Sequence, residues 1–176
     1  FQSSNYSKGK WEYTQEILVA NKTAPTFAKC VDSTYYVNIA NCGPAVIKLT
    51  GVATDDCTPA GLMRWSCNID RNNDGSVDVK GYSNKVTAGF AVGQHRITWV
   101  AEDGCANVTT CSFVITIKDG MKPTANCKQD LKIQLEPSFG TGPVAILTPA
   151  MVDNQSTDNC TPAAQLNRYI TQSKYG

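Results

Sequence analysis

Short apolar runs of β character recur along the chain, each ended by glycine, asparagine or aspartate. Tyr35–Ile39 is one. Ala45–Ala53 begins apolar and then alternates, Arg96–Asp103 alternates less cleanly, and Cys111–Lys118 is rich in β-branched residues. Runs of this length, separated by turn residues, predict short strands of a sandwich. No segment carries the 3.6-residue period of an amphipathic helix. The expected fold is therefore all-β, with Trp99 and Phe113 in its core.

The pattern also repeats. Thr54-Asp55-Asp56-Cys57-Thr58-Pro59-Ala60 returns 103 residues later as Thr157-Asp158-Asn159-Cys160-Thr161-Pro162-Ala163. Ala24-Pro25-Thr26, followed by Cys30, matches Lys122-Pro123-Thr124, followed by Cys127, at an offset of 98. Gly43-Pro44-Ala45-Val46-Ile47 echoes Gly142-Pro143-Val144-Ala145-Ile146. Tyr13–Asn21 lies 98 residues before Cys111–Asp119 and shares its β pattern. The expected organisation is the last strand of a preceding repeat in 1–23, a complete immunoglobulin-like repeat in 24–117, and the first part of another in 118–176. Half a sandwich leaves an open core and an unpaired edge. The last copy must be completed either by a continuing chain, the favoured reading, or by strands donated from a neighbouring subunit.

Composition narrows the function. With 41% hydrophobic residues the chain can build a core. Sixteen basic and fifteen acidic residues leave a net charge of +1. That balance gives no basic face for nucleic acid and no reason to expect an anionic membrane surface as partner. No apolar run approaches a membrane span; Phe113–Ile117 is a strand's worth. Phe1 in place of an initiator methionine is read as a start inside a longer precursor. The eight cysteines, Cys30, Cys42, Cys57, Cys67, Cys105, Cys111, Cys127 and Cys160, form no C-x-x-C pairs, and His95 is the only histidine. Zinc is thereby disfavoured, and disulfides in an extracellular or cell-surface setting are expected. Six cysteines in the first copy allow 15 pairings. Cys105 with Cys111 would close a hairpin; alternatively Cys57 joins Cys105 and Cys111 staples to Cys30. The second copy lacks counterparts of Cys42 and Cys67, which suggests that those two pair with each other.

The most specific local motif is Asp70-Arg71-Asn72-Asn73-Asp74-Gly75-Ser76-Val77-Asp78. Asp70, Asn72, Asp74 and Asp78 stand at positions 1, 3, 5 and 9 of a calcium loop, Gly75 at the tight turn, and the Ser76 carbonyl is a further candidate ligand. The glutamate expected at position 12 is replaced by Gly81. The same residues also suit an ordinary hairpin turn. Asp55, Asp56, Glu102 and Asp103, with Asp119 near the copy boundary and Asp153 and Asp158 in the second copy, form a weaker set of calcium candidates. Carboxylates that recur with the repeat argue for a structural job rather than for the paired acids of glycoside hydrolysis. No nucleophile–base set assembles around His95, whose default is an exposed or satisfied side chain. Asn5, Asn21, Asn107, Asn154 and Asn159 open N-x-Ser/Thr sequons.

Several of these runs, in their order, resemble a known repeat family. They are Asp158-Asn159-Cys160-Thr161, Ile69–Asp78, Gly93–Trp99, Asp103–Cys111 and Lys122–Cys127. Together they resemble the HYR-like, immunoglobulin-like repeats of giant Bacteroidota surface adhesins, including the filamentous adhesins of gliding bacteria. The resemblance covers nearly all the chain from residue 11. It implies secretion, long tandem arrays, and roles in adhesion, gliding or surface filaments. It also makes Ser33, in Asp32-Ser33-Thr34, a candidate for O-glycosylation. Ala106, where the family often has glycine, and the absence of cysteines from 1–23 depart from its pattern.

The leading expectation is a non-catalytic structural or adhesive repeat of an extracellular filament or stalk. Its partners would be neighbouring repeats, with surface glycans or proteins as further candidates. One alternative is a carbohydrate- or protein-binding module of a secreted multidomain protein, for which the adjacent Tyr35 and Tyr36 are the only aromatic platform. A second is a polymerising, strand-donating filament subunit.

Overall fold

The computed structural model describes residues 14–17, 19–136, 142–143 and 145–171. Asn5, Tyr13, Leu18 and Val144, which carry expectations above, lie outside them.

Nine strands run from Thr26 to Asp119: β1 (Thr26–Phe27), β2 (Ser33–Val37), β3 (Ala45–Thr50), β4 (Ala53–Thr54), β5 (Arg64–Asp70), β6 (Val79–Gly81), β7 (Lys85–Phe90), β8 (Gly93–Glu102) and β9 (Val108–Asp119). A five-stranded sheet has the order β2-β9-β8-β5-β6; β3 pairs with β7, and β1 with β4. All pairings are antiparallel except β2 on β9, which is parallel, with Ser33 opposite Ile115 and Val37 opposite Asp119. The protein is all-β, with an immunoglobulin-like sandwich.

Strand alternation supplies the core. Along β8, His95, Ile97, Trp99 and Ala101 are buried at every second position. Ile115 and Ile117 face inward from β9, Cys67 and Ile69 from β5, and Ala45, Leu49 and Phe90 close the opposite side from β3 and β7. Trp99 is 2% exposed and meets Trp65 edge-on at 6.3 Å. Phe113 packs against this cluster while half-buried. His95 is buried, its Nε2 2.8 Å from the Ala91 carbonyl.

Three expectations change. The run Ala45–Ala53 is not one strand but two, because the chain changes partner at Gly51. A Cβ there would stand 2.8 Å from Trp65 Cζ3, so only glycine lets the backbone pass over the tryptophans. The strand expected over Tyr35–Ile39 instead ends at Val37, since the Ile39 carbonyl accepts from the Cys42 amide (3.0 Å) and Cys42 takes φ +53° to turn the chain. The described residues of 14–23 form no strand and pair with no strand among the described residues. After Asp119 the described residues contain two one-turn helices (Pro149–Val152 and Ala163–Gln165) and isolated bridges.

Candidate functional site: the contact between copies

The repeat seen in the sequence has a geometric counterpart. Thr26 pairs with Thr54, and their counterparts Thr124 and Thr157 form an antiparallel bridge. Asp55 Oδ1 accepts from the amides of Cys57 (3.1 Å) and Thr58 (2.7 Å); Asp158 Oδ2 accepts from those of Cys160 (3.1 Å) and Thr161 (2.8 Å). Each turn runs through proline into a single 3₁₀ turn, Ala60–Leu62 or Ala163–Gln165. An aspartate two residues before the cysteine can close this turn locally with its own carboxylate, so the motif keeps its shape in both copies.

These turns hold the segments that lead into the matched Pro-Thr starts. Asn21 Nδ2 donates to Asp56 Oδ1 (2.6 Å), and Asn107 Nδ2 donates to the carbonyls of Asn21 (3.0 Å) and Thr23 (3.3 Å). One repeat later, Asn159 Nδ2 donates to the Ile39 carbonyl (2.9 Å) and lies 3.4 Å from Asp119 Oδ1. Asp119 is the counterpart of Asn21 and Asn159 that of Asp56, so the same two positions meet with donor and acceptor exchanged. Here the contact is also covalent: Cys42 is bonded to Cys160.

The second disulfide joins Cys30 to Cys111 and ties the chain between β1 and β2 to β9. Cys42 therefore does not pair with Cys67, nor Cys105 with Cys111. Cys67 points from β5 into the core, and burial pushes its thiol up to about 11. The inference from missing counterparts failed because Cys42 finds its partner across the copy boundary. Cys57, Cys105 and Cys127 are exposed thiols.

The calcium candidates are engaged with their own loops. Asp70, 5% exposed, accepts from the amides of Asn72 (3.3 Å) and Asp74 (3.1 Å) through Oδ1, and from Gly75 (2.8 Å) through Oδ2. Asp74 accepts from the Ser76 amide (2.8 Å) and Asp78 from that of Arg71 (2.6 Å). Asn73 and Gly75 take positive φ to aim these amides inward, and Arg96 Nε donates to Asn73 Oδ1 (2.9 Å). Burial pushes the Asp70 carboxyl up, but the loop amides outweigh it and hold it below its ordinary value. Asp103 behaves alike: burial opposes ionisation, while Asn107 and the Cys105 amide prevail. By fixing Asn107, Asp103 orients the amide that grips residues 21–23. Among the described residues no three His, Cys, Asp or Glu side chains converge as a ready metal cage.

The modification candidates are placed as follows. Ser33 opens β2, with the Asp32 carboxylate beside it accepting from the Val114 amide (2.8 Å). The side-chain nitrogens of Asn21, Asn107 and Asn159, to which an N-glycan would attach, donate within the contacts above. Asn154 is exposed. Tyr35 packs on the core, whereas Tyr36 is 70% exposed, so the adjacent rings face opposite ways and form no joint platform. The role of asparagine in gripping the arriving chain was missed in the sequence; its signal was Asn159 beside the repeated Cys160 and Asn107 two residues after Cys105.

No family profile and no curated protein matches the chain. Among solved structures, it is similar to the third cadherin domain of human protocadherin 7, at 19% identity and a TM-score of 0.36 over 61% of this chain and 96% of that one. The fold assignment above rests on the strand arrangement itself.

Proposed function

We propose that this chain is a stretch of a secreted tandem array of immunoglobulin-like repeats, with a structural and adhesive rather than catalytic role in a surface filament or stalk. In this reading residues 24–117 are one repeat and 118–176 the start of the next. The observation that supports it most is the recurrence of one contact at two successive copy boundaries, sealed at the second by Cys42–Cys160. A single compact domain has no use for a docking geometry that returns with the sequence repeat. Two disulfides fit an oxidising compartment. The carboxylates that could serve chemistry are instead acceptors for their own loop amides. The resemblance to HYR-like adhesin repeats belongs to the same reading.

The test is the denatured, reduced mass of the natural polypeptide. A mass many times the 19.0 kDa of these residues supports an array whose second copy is completed by its own chain. A mass near that value overturns it in favour of subunits that complete one another. Calcium at Asp70–Asp78 is a further part of the proposal, as a stiffening ligand. Asp74 and Asp78 each give one oxygen to a loop amide and keep the other for the ion, whereas both oxygens of Asp70 already accept loop amides. A melting temperature raised by Ca²⁺ and restored by chelator supports it; one that ignores both removes it.

A further inference from the structure

Two thiols stand at the end of the sandwich that receives residues 21–23. Cys57 lies in the turn after β4 and Cys105 in the turn between β8 and β9; both are exposed and unbonded. Their turns touch directly, the Gly104 amide donating to the Thr58 hydroxyl at 3.0 Å. Each cysteine is the immediate chain neighbour of one partner in that contact. Each is also fixed by an aspartate, Cys57 through its amide to Asp55 (3.1 Å) and Cys105 through its amide to Asp103 (2.8 Å). A disulfide needs Cα atoms roughly 4.4–6.8 Å apart, and adjacent Cα atoms are about 3.8 Å apart. The contact of Thr58 with Gly104 therefore sets the flanking Cys57 and Cys105 in touching turns, and Gly104 has no side chain to stand between them. Cys67 is no competitor, because it is sealed in the core.

We propose that Cys57 and Cys105 close into a third disulfide, which clamps together the two loops that hold the arriving chain. The thiols lose two protons and two electrons by exchange with a disulfide-bearing oxidant, itself reduced to two thiols. The bond ties the Asp55–Asp56 turn, which meets Asn21, to the Asp103–Asn107 turn, which meets Asn21 and Thr23. This is a property of one sandwich and stands whether or not the natural chain is a tandem array.

The test is peptide mapping of the full chain folded with a glutathione disulfide couple, alkylated and digested without reduction. The expected result is a Cys57 peptide joined to a Cys105 peptide, lighter by two hydrogens than the pair of thiols, beside the Cys30–Cys111 and Cys42–Cys160 links. Cys127 would carry the alkyl label, and Cys67 only after denaturation. Cys57→Ser should then expose Cys105 to alkylation, and Cys105→Ser should expose Cys57. The Cys30–Cys111 link, retained in each variant, reports that the sandwich has folded. Alkylation of both Cys57 and Cys105 in the oxidised wild type, or either one joined to a different cysteine, overturns the proposal.

Discussion

The two copies share their turns but not their interiors. In the first, Ile97 and Ile115 have no exposed surface and Trp99 almost none; in the second, no described residue is buried. Ile146, counterpart of the core-packing Ile47, is 81% exposed, and Ile170 is 43% exposed. Yet the Thr26–Thr54 pairing, the aspartate-closed turn and the 3₁₀ turn all recur. Local hydrogen bonds thus suffice to shape the turn that carries the cysteine. The core requires strands far away in sequence, because Trp99 and Ile115 come from β8 and β9.

The largest break in this contrast should come from Trp99→Ala. Truncating a buried aromatic costs about 3–5 kcal/mol, so urea unfolding of the sandwich should shift strongly, while the Thr124 and Thr157 amides exchange as before under native conditions. Next come the disulfides. Replacing Cys30 and Cys111 by serine should cost the sandwich about 2–5 kcal/mol. Replacing Cys42 and Cys160 should also lower its urea midpoint, because that bond closes a loop around β3 to β9 in the unfolded chain, and should in addition speed hydrogen exchange at Thr124 and Thr157. Exchange at Thr124 and Thr157 that stays unchanged in this variant would erase the distinction between the copies. Gly51→Ala should destabilise by about 1–3 kcal/mol through overpacking against Trp65, again without effect beyond Asp119.

The smallest effect concerns acid. Asp70 and Asp103 are held below the ordinary carboxylate value, so the unfolded chain takes up protons more readily than the folded one. Their contribution is complete above about pH 4 and is lost as pH falls through the lower folded values. Asp70→Asn should flatten the acid limb of the sandwich's stability profile. Asp158 is also lowered, chiefly by the Thr161 amide, but Asp158→Asn should leave that limb unchanged because it acts within the second copy.

Much of the sandwich was legible because β9 and β8 carry their burial in β-branched and alternating patterns of their own. Gly51 was not, since its role is set by Trp65 and Trp99, distant in sequence until the sheets pack. The strand expected at Tyr13–Asn21 has a β pattern but no ladder among the described residues. The Asp70–Asp78 loop reads the same way for a cation and for a self-closed turn, as its aspartates can accept from either. The Cys42–Cys160 bond lay beyond any spacing argument, with its ends 118 residues apart and in different copies.

That bond also decides which part of the molecule would feel a pull. Tension applied between residue 21 and residue 171 enters through β1 and β2, reaches Cys42, and crosses directly to Cys160. The intervening residues, with β3 to β9 among them, hang as a side loop outside the load path. About 400 Å of extended chain therefore stays unavailable to stretching for as long as the sulfur–sulfur bond lasts. Reduction of this bond together with Cys30–Cys111, rather than force, is what would release that length.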